Sequence, residues 1–151
     1  MERLYATVRL GEMTCGVDAL VVQEVLRYQH MTRVPLAPGE VSGLINLRGQ
    51  VVTAIDLRQR LGLTPRGEDQ ESMNLVVRTK EGAVSLLVDA IGDVIQVDED
   101  LLEPPPGTLE PRAAALVTGV YKLDTGLLLT LDVELACRVV SRDGQPVVAA
   151  R

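Results

Sequence analysis

The sequence predicts a mainly β fold built from two similar five-stranded barrels, and three observations carry that prediction. Apolar residues make up 46% of the 151-residue chain, yet there is no Phe, no Trp and only three Tyr, so Val and Leu must supply the core. A branched Cβ packs well on a pleated surface and loses rotamer freedom in a helix. Short apolar or alternating runs recur between Gly, Pro and acidic turns, the spacing of small β-barrels. The second half of the chain also resembles the first.

Taken in order, Leu4, Ala6, Val8 and Leu10 alternate with more polar neighbours, the mark of a half-buried strand, and Gly11-Glu12 makes the turn. Further strands are expected at 13–17, 21–28, 43–47, 50–55, 74–80, 83–88, 93–97, 116–123 and 126–131. Two short helices interrupt them. Asp56 can cap the first, with Gln59 at the third helical position of a capping box, Leu57 and Leu61 on one face and Gly62 at its end. Asp132 can cap the second, which carries Val133, Leu135 and Ala136. The stretch 64–72 is polar and aperiodic and reads as an exposed loop, and Pro104-Pro105-Pro106-Gly107 is a stiff connector that cannot pair.

Self-comparison organises these elements. Gly43-Leu44-Ile45-Asn46-Leu47 and the run Val51 to Leu57 align with Gly119-Val120-Tyr121-Lys122-Leu123 and Leu127 to Val133, shifted by 76 positions. Val17-Asp18-Ala19-Leu20 recurs as Val88-Asp89-Ala90-Ile91, shifted by 71. Order and capping Asp both repeat, so a duplication explains the match better than chance likeness between Val-rich strands. A barrel of about 70 residues is marginal alone, so the two halves must bury apolar surface against each other, and their seam forms a natural groove.

Composition excludes several functions. A net charge of −6, without clustered Lys and Arg or stacking aromatics, argues against nucleic acid. Met1-Glu2-Arg3 leads straight into a strand pattern with no signal-peptide core, and no apolar run approaches the roughly 20 residues that span a bilayer. A cytoplasmic protein is expected. Cys15 and Cys137 have no metal-like spacing and read as two buried thiols rather than a disulfide.

The residues of catalysis are also missing. The single His, His30, sits between Gln29 and Met31 without a Cys or second His nearby and reads as a surface residue. The repeated carboxylates, Asp18 with Asp89 and Asp56 with Asp132, fall at strand-to-helix junctions where capping explains them. Gly43, Gly49 and Gly62 do not form a phosphate loop, and Asp98-Glu99-Asp100 lacks the Gly and terminal Glu of a calcium loop. No enzyme activity, cofactor or metal is expected.

Binding surfaces remain. Arg48 sits where two β runs meet at Gly49, a residue able to take positive φ, and a guanidinium held there can offer a bidentate fork to a partner. Val22 and Val25 flank Gln23-Glu24, and Ile91 and Val94 flank Asp93; both pairs follow equivalent corners and can either fill the core or line the seam.

Over about residues 3–140 the pattern resembles the CheW family. The stretches are Gly16-Val17-Asp18 with Val22-Gln23-Glu24-Val25, Val34-Pro35, Val41 through Gly49, Ile55-Asp56-Leu57-Arg58, Leu87-Val88-Asp89, and Glu103-Pro104-Pro105-Pro106. Their order and spacing, above all from Gly43 to Arg58, carry the likeness. The resemblance implies one domain of two intertwined SH3-like barrels, roughly 13–72 and 73–131, completed by the N-terminal strand and C-terminal helix. It implies an adaptor that binds the cytoplasmic hairpin tip of methyl-accepting chemoreceptors and the regulatory domain of a CheA-type histidine kinase, and since that function lies in contacts with other proteins, a monomer is expected. By position, the receptor-facing residues would be Val22, Glu24, Arg48, Met73, Ile91 and Val94, and the kinase-facing ones Ser42, Val51 and Thr108. Three residues depart from the family pattern: Cys15 replaces an aromatic, Thr53 a Pro, and Thr108 the apolar aromatic of the second kinase contact. The alternative within the family is a divergent paralogue that binds receptors and engages the kinase weakly or not at all, limiting array growth.

Overall fold

Tight hairpins organise the chain. In the structure, a computed structural model that describes residues 1–139, ten strands run in order: β1 (Glu2–Leu10), β2 (Met13–Asp18), β3 (Val22–Leu26), β4 (Val41–Leu47), β5 (Gln50–Asp56), β6 (Met73–Thr79), β7 (Gly82–Val88), β8 (Ala90–Asp98), β9 (Val117–Leu123) and β10 (Gly126–Leu131). All ten expected strands are present. The helices are short: α1 (Leu57–Arg60), α2 (Pro111–Leu116) and α3 (Val133–Ala136), with 3-10 turns at Ala19–Val21 and Glu99–Leu101. The sequence reading did not anticipate α2 and began the ninth strand inside it. Glu110 caps that helix by accepting from the Arg112 amide at 3.1 Å, and Pro111 opens it.

The strands form two five-stranded sheets of matching order, β8-β1-β2-β10-β9 and β3-β6-β7-β5-β4. Each contains one parallel pair, β10 with β2 and β5 with β7. The duplication is therefore visible as β1-β2 against β6-β7 and β9-β10 against β4-β5. The sheets do not follow the expected division at 13–72 and 73–131: one is the continuous run β3–β7, and the other joins β1–β2 to β8–β10. After Asp18 the chain turns out of its own sheet and adds β3 to β6; after Asp89 it makes the reverse crossing and adds β8 to β1. Asp18 stabilises the first crossing by accepting from the Leu20 amide at 3.0 Å.

Each exchanged strand carries one extra residue. Val22 lies opposite Val77 and Glu24 opposite Val76, leaving Gln23 unpaired; Ile91 lies opposite Val8 and Val94 opposite Ala6, so that Gly92 and Asp93 face Thr7 alone. Such bulges break the two-residue alternation of a strand. Residues three apart then share a face, Val22 with Val25 and Ile91 with Val94.

Three cores result. Ile45, Val52, Ala54 and Leu87 fill one sheet's own concavity, and Tyr5, Tyr121 and Leu128 fill the other's. The largest core lies where the sheets face each other, joining Val8, Leu10, Cys15 and Val17 of one sheet to Ile55, Leu75, Val77 and Leu86 of the other, with Leu57, Leu116 and Ala136 from the helices. Asp56 caps α1 as expected, but its own amide donates to the Glu40 carbonyl at 2.7 Å, so the reciprocal bond expected from Gln59 is not made.

Each sheet is drawn closed by a bridge between its edges, Thr32 with Leu44 and Glu103 with Val120. Glycine makes both closures possible. A Cβ on Gly43 would sit 2.7 Å from the Thr32 carbonyl oxygen, and one on Gly119 would sit 2.8 Å from that of Glu103. Gly43→Ala and Gly119→Ala are expected each to cost on the order of 1–3 kcal/mol. Urea unfolding of the two variants measures this, and wild-type midpoints would contradict the closure.

Candidate functional site

The seam between the exchanged strands gathers most of the residues singled out from the sequence. Met73, Leu75 and Val77 alternate along one face of β6, and Val25 and Val22 lie opposite the last two. Across the seam, Val8 and Ala6 share a face of β1 with Ile91 and Val94 opposite them. Val22, Met73 and Ile91 are half-buried and pack on the central core. Val25 and Val94 stand out, 47% and 57% exposed. The open groove expected between the halves is therefore a surface whose floor is packed and whose rim is apolar and accessible.

Arg48 is not free. It occupies the two-residue β4–β5 turn with φ of 52°, and Gly49 follows with 85°, so both central residues are left-handed and Leu47 pairs with Gln50. The Asn46 carboxamide steadies this turn by accepting from the Gly49 amide at 3.0 Å. From there the guanidinium grips Glu24, donating from Nη1 to Oε1 at 2.8 Å and from Nη2 to Oε2. The fork that the sequence suggested for a partner is thus closed on the chain's own carboxylate, which it holds below the usual range. The bulge at Gln23 is the reason: it turns Glu24 to the face of β3 opposite Val22. The pair is an exposed polar unit at the rim, with Arg48 74% accessible.

The proposed kinase-facing residues divide. Ser42 occupies the bulge of β4 and lines a cavity of about 420 Å³ with Tyr28, Met31 and Pro38. Val51 is exposed on the same hairpin. Thr108 is exposed in the connector before α2. Of the other departures, Cys15 and Thr53 are fully buried, and the Thr53 hydroxyl finds no hydrogen-bond partner among the described residues. Cys15 and Cys137 are free thiols, each pushed up to about 12 by burial, so neither is a nucleophile at neutral pH.

The sequence reading explained Asp89 as a cap and the segment 64–72 as an exposed loop; the structure makes them one cluster. Asp89 accepts from Arg58 Nε at 2.8 Å and Nη2 at 2.6 Å, from Arg66 Nε at 3.0 Å, and from the Gly11 amide at 2.7 Å. Arg66 is only 10% exposed and also lies 3.7 Å from Asp56. The bonds from Arg58, with help from Gly11 and Arg66, hold Asp89 far below the usual carboxylate range, while burial pushes Asp56 up. Among the described residues no group of three or more His, Cys, Asp and Glu is placed to hold a metal, and no helix is long and apolar enough to cross a membrane.

Two strand-exchanged sheets, a packed seam and exposed apolar and ionic rims define a β-rich binding module. Residues 4–140 match the CheW-like domain, and the chain belongs to that family. It is 30% identical over 125 residues to the chemotaxis protein CheW of Klebsiella aerogenes, covering 83% of this chain and 75% of that one. The probable chemotaxis protein CheW of Rhizobium etli is 29% identical over 126 residues, covering 83% and 81%. The crystal structure of the scaffolding protein TtCheW from Thermoanaerobacter tengcongensis superposes with a TM-score of 0.84 at 30% identity, over 99% of this chain and 100% of the other. The chain is a chemotaxis coupling adaptor and not an enzyme.

A carboxylate held low contributes stability that is fully present above its unfolded value, near 4, and is lost as pH falls toward its depressed native value. Asp89→Asn is therefore expected to cost on the order of 2 kcal/mol at neutral pH. The gap from wild type, followed by thermal unfolding, should hold steady from pH 7 to about 5 and shrink in stronger acid. A gap that widens in acid would refute the assignment.

Proposed function

We propose that the seam is the docking surface for the cytoplasmic hairpin tip of a chemoreceptor, and that the chain couples this tip to the regulatory domain of a CheA-type histidine kinase. The observation that carries the reading is the pair of matching bulges, which sets Val22 with Val25 and Ile91 with Val94 on facing sheets beside Met73. A receptor helix presenting apolar side chains at helical spacing can lie across such a rim. Arg48 and Glu24 then act together. The fork spends two donors on Glu24, and the remaining guanidinium N–H groups and carboxylate lone pairs are free to fix the register of the helix. The β4–β5 hairpin, through Ser42 and Val51, is the first kinase contact, and Thr108 marks a second. The adaptor works in the cytoplasm at receptor clusters and has no cofactor.

Val94→Asp and Arg48→Glu are both tolerated positions for folding, since each side chain is exposed. Each is expected to weaken binding of a receptor-tip fragment on the order of tenfold or more, measured by calorimetry, with unfolding midpoints unchanged. Equal affinity of Arg48→Glu and wild type would remove Arg48 from the site. In pull-downs with the kinase regulatory domain, Val51→Asp should lose complex. Thr108→Phe should gain it, because an aromatic restores apolar contact area at the second surface. A wild type that binds the receptor fragment and fails to retain the kinase domain would favour the receptor-only paralogue.

A further inference from the structure

We propose that the Asp89 cluster is the positioning device of the seam: Arg66, locked onto Asp89, sets the spacing between the β6 and β8 sides of the docking surface. The argument begins with the duplication. Asp18 and Asp89 stand at equivalent crossings between the sheets, and equal roles would be expected of them. Asp18 accepts from one guanidinium, Arg3 at 3.2 Å, and from the Leu20 amide. Asp89 binds two guanidiniums and an amide from the far hairpin. The difference has a chain origin. Position 58 is Arg where its repeat partner at 134 is Glu, and Arg66 comes from the segment that joins α1 to β6.

Each bond of the cluster reaches a different part of the seam. Gly11 is the tip of the β1–β2 hairpin and belongs to one sheet; Arg58 is on α1, which follows β5 of the other. Asp89 itself lies two residues before Ile91, and Arg66 lies at the start of the stretch that delivers Met73. Ile91 and Met73 are the half-buried floor of the surface, on β8 and β6, and these strands touch each other there. Charged groups this poorly solvated interact strongly, and a planar fork fixes direction as well as distance. The cluster therefore ties the crossing, both sheets and the approach to Met73 at one carboxylate. The charged partners of Arg66 are Asp89 and Asp56, so it acts on binding through position.

The inference rests on the seam being the receptor-facing surface, and the experiment separates the two. Full-length Arg66→Ala, Arg66→Lys and Arg48→Glu are compared with wild type by methyl NMR and by binding of a receptor-tip fragment. Arg66→Ala keeps the Arg58–Asp89 bonds, so the fold is expected to survive. It should shift the Met73, Ile91 and Val94 methyl signals and leave those of Ile45 and Leu128 in the two barrel interiors in place. It should weaken the fragment by roughly tenfold, and Arg66→Lys should recover most of that loss by restoring charge and one donor. Unmoved seam methyls in Arg66→Ala, or loss of affinity that Arg66→Lys does not recover, would overturn the positioning role. If wild type binds no receptor fragment, the receptor reading fails, and the methyl shifts still decide whether Arg66 sets the seam.

Discussion

Each sheet of this protein has one face too large for its own barrel to cover, and the burial of those two faces against each other is the constraint on which the remainder depends. The barrel interiors are small, a handful of residues each, while the shared core draws fully buried Val, Leu and Ile from both sheets and from the short helices. Apolar burial contributes roughly 25 cal/mol per Å², so most of the stabilisation lies between the barrels. Neither half can be removed without exposing the core of the other. The two crossings strengthen the coupling, since the sheet of β3–β7 is inserted between the β1–β2 and β8–β10 parts of the other.

The same constraint shapes the proposed docking surface. An exchanged strand must leave one sheet and enter the other at a corner, and the extra residue in β3 and in β8 lets it do so while keeping apolar groups on the inner face. The bulges thereby leave Val25 and Val94 accessible at the rim and turn Glu24 to the other face of β3, where it reaches Arg48. Glu24 then meets Arg48 across the open edges of its sheet, and the exposed pair presents charge to the outside. The residues proposed for docking are thus also residues of the fold.

The two crossings occupy equivalent places in the fold but differ in their partners. Asp18 keeps a capping role with one cation nearby, whereas Asp89 has become the meeting point of Arg58, Arg66 and Gly11. A carboxylate with that many donors is stable only as an anion, and removing one partner leaves another charge poorly solvated. That asymmetry gives a pseudo-symmetric fold one crossing with more charged partners than the other.

Local chemistry made much of this legible in the chain. Alternation and β-branching located all ten strands, the capping Asp56 and Asp132 located two helices, and the repeated Gly43 and Gly119 revealed the duplication, because each of these signals acts over a few residues. The Val22–Val25 and Ile91–Val94 pairs were visible as pairs, although a spacing of three made no sense on a regular strand. What the chain did not disclose depends on partners far away in sequence. Which sheet receives β3 and β8, which carboxylate Arg48 closes on, and why a polar loop residue such as Arg66 is buried are all decided by long-range pairing. Sequence determines the strands and their repeat; only tertiary packing, choosing among many apolar faces of equal hydrophobicity, decides how they are exchanged.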